Sequence, residues 1–304
     1  MNQYGKYEDL FLEIYDREQV QLDAQMKEHI YFKVGGSVDI LLLPDSLDKV
    51  VKSIKICKEN KIPFYIIGNG SNILVKDGGI RGIVIKLCNI NNISVDGDRI
   101  TADTGALLKD VSKVAAQNSL TGFEFACGIP GSIGGAVFMN AGAYDGEISF
   151  VIEKVKVINN KEEIITLERE ELDLGYRHSV MMDKGFTILN ATFKLAKGDK
   201  TKINKKINEL TVRREQRQPL EYASAGSTFK RPKGYFAGKL IQDAGLKGFT
   251  IGDSCVSNKH AGFVINKGNG TAKDILGVIA HVQEEVKKQF GVELMPEVRI
   301  IGED

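Results

Sequence analysis

Apolar positions change their period several times along this chain, and each change marks an element. In residues 1–30, Leu10, Phe11, Ile14, Leu22 and Met26 follow a helical spacing, which predicts an amphipathic N-terminal helical extension. From Val38 the pattern becomes an alternation of strand and helix. Asp39–Leu43 reads as a short apolar strand, and Ser46 stands where it can cap a helix whose Leu47, Val50, Val51, Ile54 and Cys57 share one face. Pro63 restarts the chain as the strand Phe64–Ile67. Strands at Ile73–Val75 and Ile83–Leu87 follow, separated by an Asp77-Gly78-Gly79 turn.

Further along, Ile93–Thr101 has the pattern of a hairpin turning at Asp96-Gly97-Asp98, and Ala106–Asn118 carries a helical stripe of Leu107, Leu108, Val111, Val114 and Ala115. Strands are predicted near Val151–Ile158, Ile164–Leu167 and Phe186–Leu195. The polar segment KGDKTK at 197–202 is the best boundary in the chain. A basic helix over Ile203–Arg217, a loop at 219–233 and mixed helices and short strands follow it. The pattern therefore divides into an extension at 1–30, a unit at 31–198 and a C-terminal unit at 199–304. A length of 304 residues agrees with two or three domains.

Composition narrows the function classes. A formal net charge of +1 gives no basis for bulk electrostatic binding of nucleic acid or of a membrane surface. No apolar run approaches the ~20 residues that span a bilayer. The stretch MNQYGKYEDLFLEIYD has no apolar core of the signal-peptide kind, so the expected location is the cytoplasm. Cys57, Cys88, Cys127 and Cys255 are scattered and read as free thiols; His29, His178, His260 and His281 lack ligand spacing, and no metal is expected.

Candidate chemistry lies in five segments. The first, Gly68-Asn69-Gly70-Ser71-Asn72, follows a buried strand directly; it is either a tight turn or a nest of N–H groups for a phosphate. It lacks the spacing of the dinucleotide fingerprint and the Lys-Ser/Thr ending of a P-loop. In the second, Gly128, Gly131, Gly134, Gly135, Gly142 and Gly146 crowd around Pro130 together with Ser132, amid Ile129, Ile133, Val137, Phe138 and Met139. Glycine loses the most conformational freedom on folding, and linkers do not carry such apolar company. Two such segments suit a long cofactor with a diphosphate at its middle and a flat ring. That favours flavin adenine dinucleotide over a simple nucleotide.

Three further segments hold side chains fit for catalysis, although each has an ordinary surface explanation when taken alone. Arg177 follows the acidic run Glu168–Asp173; Ser227 sits in the small-residue loop AGSTFKRP at 225–232, near Arg217, Lys230 and Arg231; Glu297 opens an apolar C-terminal strand.

Taken in order, these segments resemble the UDP-N-acetylenolpyruvoylglucosamine reductase family. The resemblance runs from about Phe32 to Ile301. It rests on FKVGG at 32–36, GNGSNILV at 68–75, GIPGSIGGAVFMNAGAYDGEI at 128–148, YRHS at 176–179, AGSTFKRP at 225–232 and PEVR at 296–299. The family implies an α+β fold: a two-subdomain FAD-binding unit of the vanillyl-alcohol-oxidase type, and a C-terminal α+β substrate-binding domain. The short passage from YRHS to the Phe186 strand is similar to the shorter class of the family, which lacks an extra tyrosine loop.

What the resemblance implies for activity is reduction of the enolpyruvyl group of UDP-N-acetylglucosamine enolpyruvate by NADPH through non-covalent FAD, a step of peptidoglycan synthesis. It assigns catalysis to Arg177, Ser227 and Glu297, with Ser227 as the proton donor. Gly68, Asn69, Gly70, Ser71, Asn72, Gly128, Gly131, Ser132, Gly134 and Gly135 fall to the cofactor. Tyr144, Arg217 and Arg231 fall to the substrate, His178 receives no role, and a monomer is expected. The alternative is another FAD-dependent oxidase of the same fold acting on a sugar or alcohol.

Overall fold

Residues 2–304 are described by a computed structural model. The first section holds α1 (Glu8–Leu12), β1 (Val20–Gln25), β2 (Ser37–Leu42), α2 (Leu47–Glu59), β3 (Phe64–Ile67), β4 (Ile73–Val75) and β5 (Ile80–Lys86). Four of these strands form a sheet in the order β1-β2-β5-β3, antiparallel at β1 and parallel elsewhere. Ser46 caps α2 by accepting from the Lys49 N–H.

Both faces of this sheet are buried, which is why its central strands read as continuous apolar runs. Ile40, Leu42, Ile83 and Ile85 pack with Val50, Ile54 and Cys57 of α2. Leu41 and Val84 face the other way and share a core with Phe229, Val264, Val278 and Val282 from the C-terminal third. Burial pushes the Cys57 thiol up to about 12.

The expected helix over residues 1–30 is corrected by the structure. Only Glu8–Leu12 is α-helical, and Val20–Gln25 is an edge strand that hydrogen-bonds to β2. Val20 and Ala24 are buried while Leu22 is exposed. Leu22 and Met26, which carried the helical spacing here, are four residues apart, a separation that a strand period satisfies as well.

The second section holds β6 (Ile93–Asp96), β7 (Arg99–Asp103), α3 (Leu108–Gln117), β8 (Leu120–Thr121), α4 (Ile133–Phe138), β9 (Gly142–Ala143) and β10 (Gly146–Glu147). It continues through β11 (Ile152–Ile158), β12 (Ile164–Glu168), α5 (Val180–Lys184), β13 (Thr187–Lys194) and β14 (Ala196–Lys197). Its antiparallel sheet runs β12-β11-β13-β7-β6 and buries Val155, Phe193 and Ile100 against Phe123, Leu108 and Ile133.

The last section begins with α6 (Lys200–Arg217), capped by the Asp199 carboxylate inside the polar segment expected as a boundary. It goes on through α7 (Ala237–Asp243), β15 (Thr250–Ile251), β16 (Ser254–Val256), β17 (Val264–Asn266), α8 (Ala272–Phe290) and β18 (Arg299–Ile301). β18 returns across the molecule to pair in parallel with β4, which follows the first glycine loop. That return brings the C-terminal segment to the site. Among the described residues, no helix is long and apolar enough to cross a membrane.

Candidate active site

The two glycine-rich segments lie side by side. Gly68–Asn72 joins β3 to β4, and the Asn69 side-chain amide donates to the carbonyl of Pro130 at 2.7 Å. A Cβ on Gly68 would sit 2.1 Å from Ser132 Oγ, and one on Gly134 would sit 2.1 Å from Thr104 Oγ1. Gly70 holds φ +68°, and a Cβ there would lie 2.6 Å from the His29 carbonyl oxygen. Packing within the protein thus requires these three glycines. Gly135 differs: it is exposed, and the nearest atom to a Cβ would be 3.7 Å away. A side chain there would project into open space beside the loops.

That space is a cleft of about 660 Å³, lined by both loops and by Tyr144, Arg177, Arg214, Ser227 and Glu297. Its volume is in the usual range for a cofactor or substrate site. Ser132 Oγ, on its wall, is buried without a hydrogen-bond partner. An open backbone cradle with an unsatisfied hydroxyl fits the diphosphate and flat ring of a flavin.

Across the cleft, Arg177 Nε donates to Glu297 Oε1 at 2.5 Å, and both side chains are largely buried. Arg177 sits at φ +55° on a tight turn in which Gly175 and His178 exchange both backbone hydrogen bonds. A non-glycine residue in the left-handed region is uncommon and marks a held conformation. Glu297 is fixed from two sides: its N–H donates to the Thr228 carbonyl at 2.8 Å, and its carbonyl accepts from the Asn72 amide at 3.1 Å. Burial pushes its carboxyl above the ordinary value, while Arg177 and then Lys230 pull it back.

Ser227 enters through the same backbone ladder. Thr228 next to it is fully buried; its N–H donates to the Gly262 carbonyl at 2.9 Å and its Oγ1 accepts from the Val264 N–H at 2.9 Å. Gly226, at φ +74°, lets the chain turn so that Ser227 is exposed to the cleft.

The family model described as "UDP-N-acetylenolpyruvoylglucosamine reductase, C-terminal domain" matches residues 218–301, and the one described as "FAD binding domain" matches residues 38–168. The UDP-N-acetylenolpyruvoylglucosamine reductase of Clostridium beijerinckii is 69% identical over 304 residues, covering 100% of both chains. The chain belongs to the UDP-N-acetylenolpyruvoylglucosamine reductase family.

A reductase of that name from Clostridium botulinum is 63% identical, again over 100% of both chains. The solved UDP-N-acetylenolpyruvylglucosamine reductase of Thermus caldophilus superposes with a TM-score of 0.79 at 31% identity, covering 92% of this chain and 97% of that one. An alkyldihydroxyacetonephosphate synthase shares the fold at TM-score 0.50 and 15% identity, over 64% of this chain and 41% of its own. At that identity the likeness carries the fold alone. The reductase is an FAD-dependent oxidoreductase with the expected α+β architecture.

In this reductase the structure brings together Arg177, Ser227, Glu297, Tyr144, both glycine loops and Ser132. Two expected residues fall elsewhere. Arg217 is exposed at the end of α6 and does not line the cleft; one turn earlier, Arg214 does. The inward stripe of α6 is Ile203, Ile207, Leu210 and Arg214, a helical spacing that could have identified Arg214 from sequence. Its guanidinium lies against Gly128, burial lowers its pKa, and no carboxylate pairs with it among the described residues.

Arg231 stands on the rim rather than in the cleft, stacked over Phe236 at 3.9 Å, with its N–H donating to Tyr176 Oη at 3.0 Å. Tyr144 holds φ +52° beneath the Arg213 guanidinium, a left-handed conformation that the sequence did not signal. His178 points away between Asp173 and Asp183, at 3.2 and 3.5 Å, on the surface behind Arg177.

Proposed function

We propose that this enzyme reduces the enolpyruvyl group of UDP-N-acetylglucosamine enolpyruvate to the lactyl ether of UDP-N-acetylmuramate, with NADPH as the reductant. The observation that carries the reading is the Arg177–Glu297 contact at 2.5 Å, on the wall of a flavin cleft that Ser227 also lines. Gly68–Asn72 and Gly128, Gly131, Ser132, Gly134 and Gly135 would hold FAD, which when bound would supply hydride chemistry between NADPH and C3 of the enolpyruvyl group. Hydride at C3 leaves negative charge at C2 that spreads into the substrate carboxylate.

The three side chains answer that charge. The Arg177 guanidinium uses Nε on Glu297 and makes a long Nη1 contact to the Asn140 carbonyl, which leaves Nη2 and the remaining Nη1 hydrogen of its planar fork for the substrate carboxylate. Donors aimed at developing charge are worth roughly 3–4 kcal/mol each in comparable sites. The incoming carboxylate is a second anion beside Glu297, which raises a carboxyl pKa already lifted by burial. Glu297 then holds a proton and donates it in a hydrogen bond to the enolate. Ser227 delivers its proton to C2. A hydroxyl is a weak acid, so the transfer requires a strongly basic carbanion held within hydrogen-bond reach.

The same reading takes 31–198 as the flavin-binding unit and 199–304 as the substrate-binding domain of a cytoplasmic monomer. Non-covalent attachment of the flavin is supported at Cys127, whose thiol is pushed up by burial and points to Thr211 and Ile207 of α6. Arg231 and Tyr144 serve the nucleotide and sugar portions of the substrate, while Arg214, against Gly128 of the cofactor loop, serves the flavin diphosphate and Arg217 takes no part. The test is an anaerobic titration of the yellow protein. NADPH should bleach it, and UDP-N-acetylglucosamine enolpyruvate should restore the colour with UDP-N-acetylmuramate as product. Bleaching by sugars or alcohols, or no recovery with the enolpyruvyl substrate, would overturn the assignment.

A further inference from the structure

We infer that Asn140 is the positioning residue that fixes the Arg177 guanidinium relative to the flavin-binding wall. The inference rests on the reaction proposed above. Asn140 lies just beyond α4, whose opposite end continues into the glycine loop at 128–132. It is fully buried, at 0% exposure, and holds φ +42°, a region that asparagine tolerates better than most side chains.

Its side chain has no unused capacity of consequence. The amide nitrogen donates to the Gly175 carbonyl at 3.0 Å and to Glu147 Oε1 at 3.1 Å, and the amide oxygen accepts from the Ser149 N–H at 2.9 Å. The main-chain carbonyl of the same residue accepts from Arg177 Nη1 at 3.5 Å, a long contact. Asn140 therefore touches the turn that carries Arg177 at its entry and the guanidinium at its tip.

The exit of that turn is tied to the same helix end, since Ser179 Oγ donates to the Phe138 carbonyl at 2.7 Å. Ser179 holds backbone only. Among the described residues, Asn140 alone hydrogen-bonds from the end of α4 to both the turn and the Arg177 side chain. Removing the amide frees Gly175, so the turn that carries Arg177 in an uncommon backbone conformation loses its hold at the entry and keeps only the Ser179 tie at the exit. The role is positioning, because the buried Asn140 does not line the cleft.

Asn140→Gly keeps the left-handed backbone and the carbonyl but deletes the amide, and the two half-reactions are measured separately under anaerobic conditions. Recovery of flavin colour by the enolpyruvyl substrate should slow at least tenfold more than bleaching by NADPH, toward the roughly hundredfold loss that a misplacement of about 1 Å brings. Asn140→Asp retains an acceptor for Ser149 but no donor for Gly175; it should show the same split and carries the test if the glycine variant does not fold. In an Arg177→Lys background, Asn140→Gly should add less than about twofold, since residues acting through one another are not additive.

Equal losses in both half-reactions, no loss, or full additivity with Arg177→Lys would overturn the inference. If the unmodified enzyme is not reoxidised by the enolpyruvyl substrate, the parent reading fails and this inference falls with it. The wild-type control thus separates the two failures.

Discussion

The main-chain N–H of Glu297 donates to the carbonyl of Thr228 at 2.8 Å, and the same register places Phe229 opposite Pro296. Two segments far apart in the chain thereby hold Ser227 and Glu297 in one fixed relation. Arg177, from a third segment, closes the set through its contact with the Glu297 carboxylate. Ser227 and Glu297 sit in irregular segments that the Glu297 N–H to Thr228 carbonyl and Lys230 N–H to Met295 carbonyl bonds tie together, which supplies the rigidity that a positioned proton transfer requires.

The first prediction concerns pH. Burial lifts the Glu297 carboxyl above its ordinary value, against the opposing pull of Arg177 and Lys230. A raised pKa means the proton stays on to a higher pH than on an ordinary glutamate and is lost as pH rises through the elevated value. If the protonated form assists the enolate, recovery of flavin colour by substrate must slow as pH rises through that range. Glu297→Gln, which does not titrate, should lower the rate and flatten the pH profile. A rate that climbs with pH there in the wild type would contradict the role.

Arg214 and Arg217 give a paired prediction on one helix. Arg214 is half-buried beside Gly128 without a carboxylate partner among the described residues, whereas Arg217 is exposed. Hydrogen bonds to charged groups contribute about 1.5–3 kcal/mol, so Arg214→Ala should weaken FAD binding to the apoprotein by about ten- to a hundredfold. Arg217→Ala should change it by less than about twofold. Titration of apoprotein with FAD, followed by fluorescence, measures both.

Two adjacent glycines should fail in different ways. Gly134→Ala puts a Cβ 2.1 Å from Thr104 Oγ1, and overpacking of this kind costs about 1–3 kcal/mol. Its signature is a lower Tm. At Gly135 a Cβ would lie 3.7 Å from Ser132 Oγ, an ordinary contact, and the methyl groups of Gly135→Val should fill the cleft. It should keep its Tm within a few degrees and lose its flavin. Thermal unfolding and the absorbance of bound flavin separate the two cases.

Local chemistry was legible where a short segment decides its own conformation. Ser46 caps α2 as its type and position predict, β3 matches Phe64–Ile67, and Gly97 turns the hairpin between β6 and β7 at φ +61°. Arg177, Ser227 and Glu297, the residues proposed for catalysis, were legible only as a set, because each has an ordinary surface explanation alone. The edge strand β1 was misread as helix because Leu22 and Met26, four residues apart, suit either period, and Leu22 proves to be exposed. The pairing of β18 with β4 is what carries Glu297 to the glycine loop; no local pattern encodes a contact between segments so far apart. Asn140 and Tyr144 were also out of reach, since a left-handed φ on a non-glycine residue is imposed by its surroundings.

The central claim is that Ser227 gives its proton to C2 in the step that follows hydride arrival at C3. Rapid mixing of the Ser227→Ala enzyme tests it most directly, with the two half-reactions followed separately at the flavin absorbance. Bleaching by NADPH should stay within about threefold of wild type, while recovery of colour by UDP-N-acetylglucosamine enolpyruvate should fall by at least about a hundredfold, as for loss of a general acid. Equal losses in both half-reactions, or normal recovery by the substrate, would contradict it.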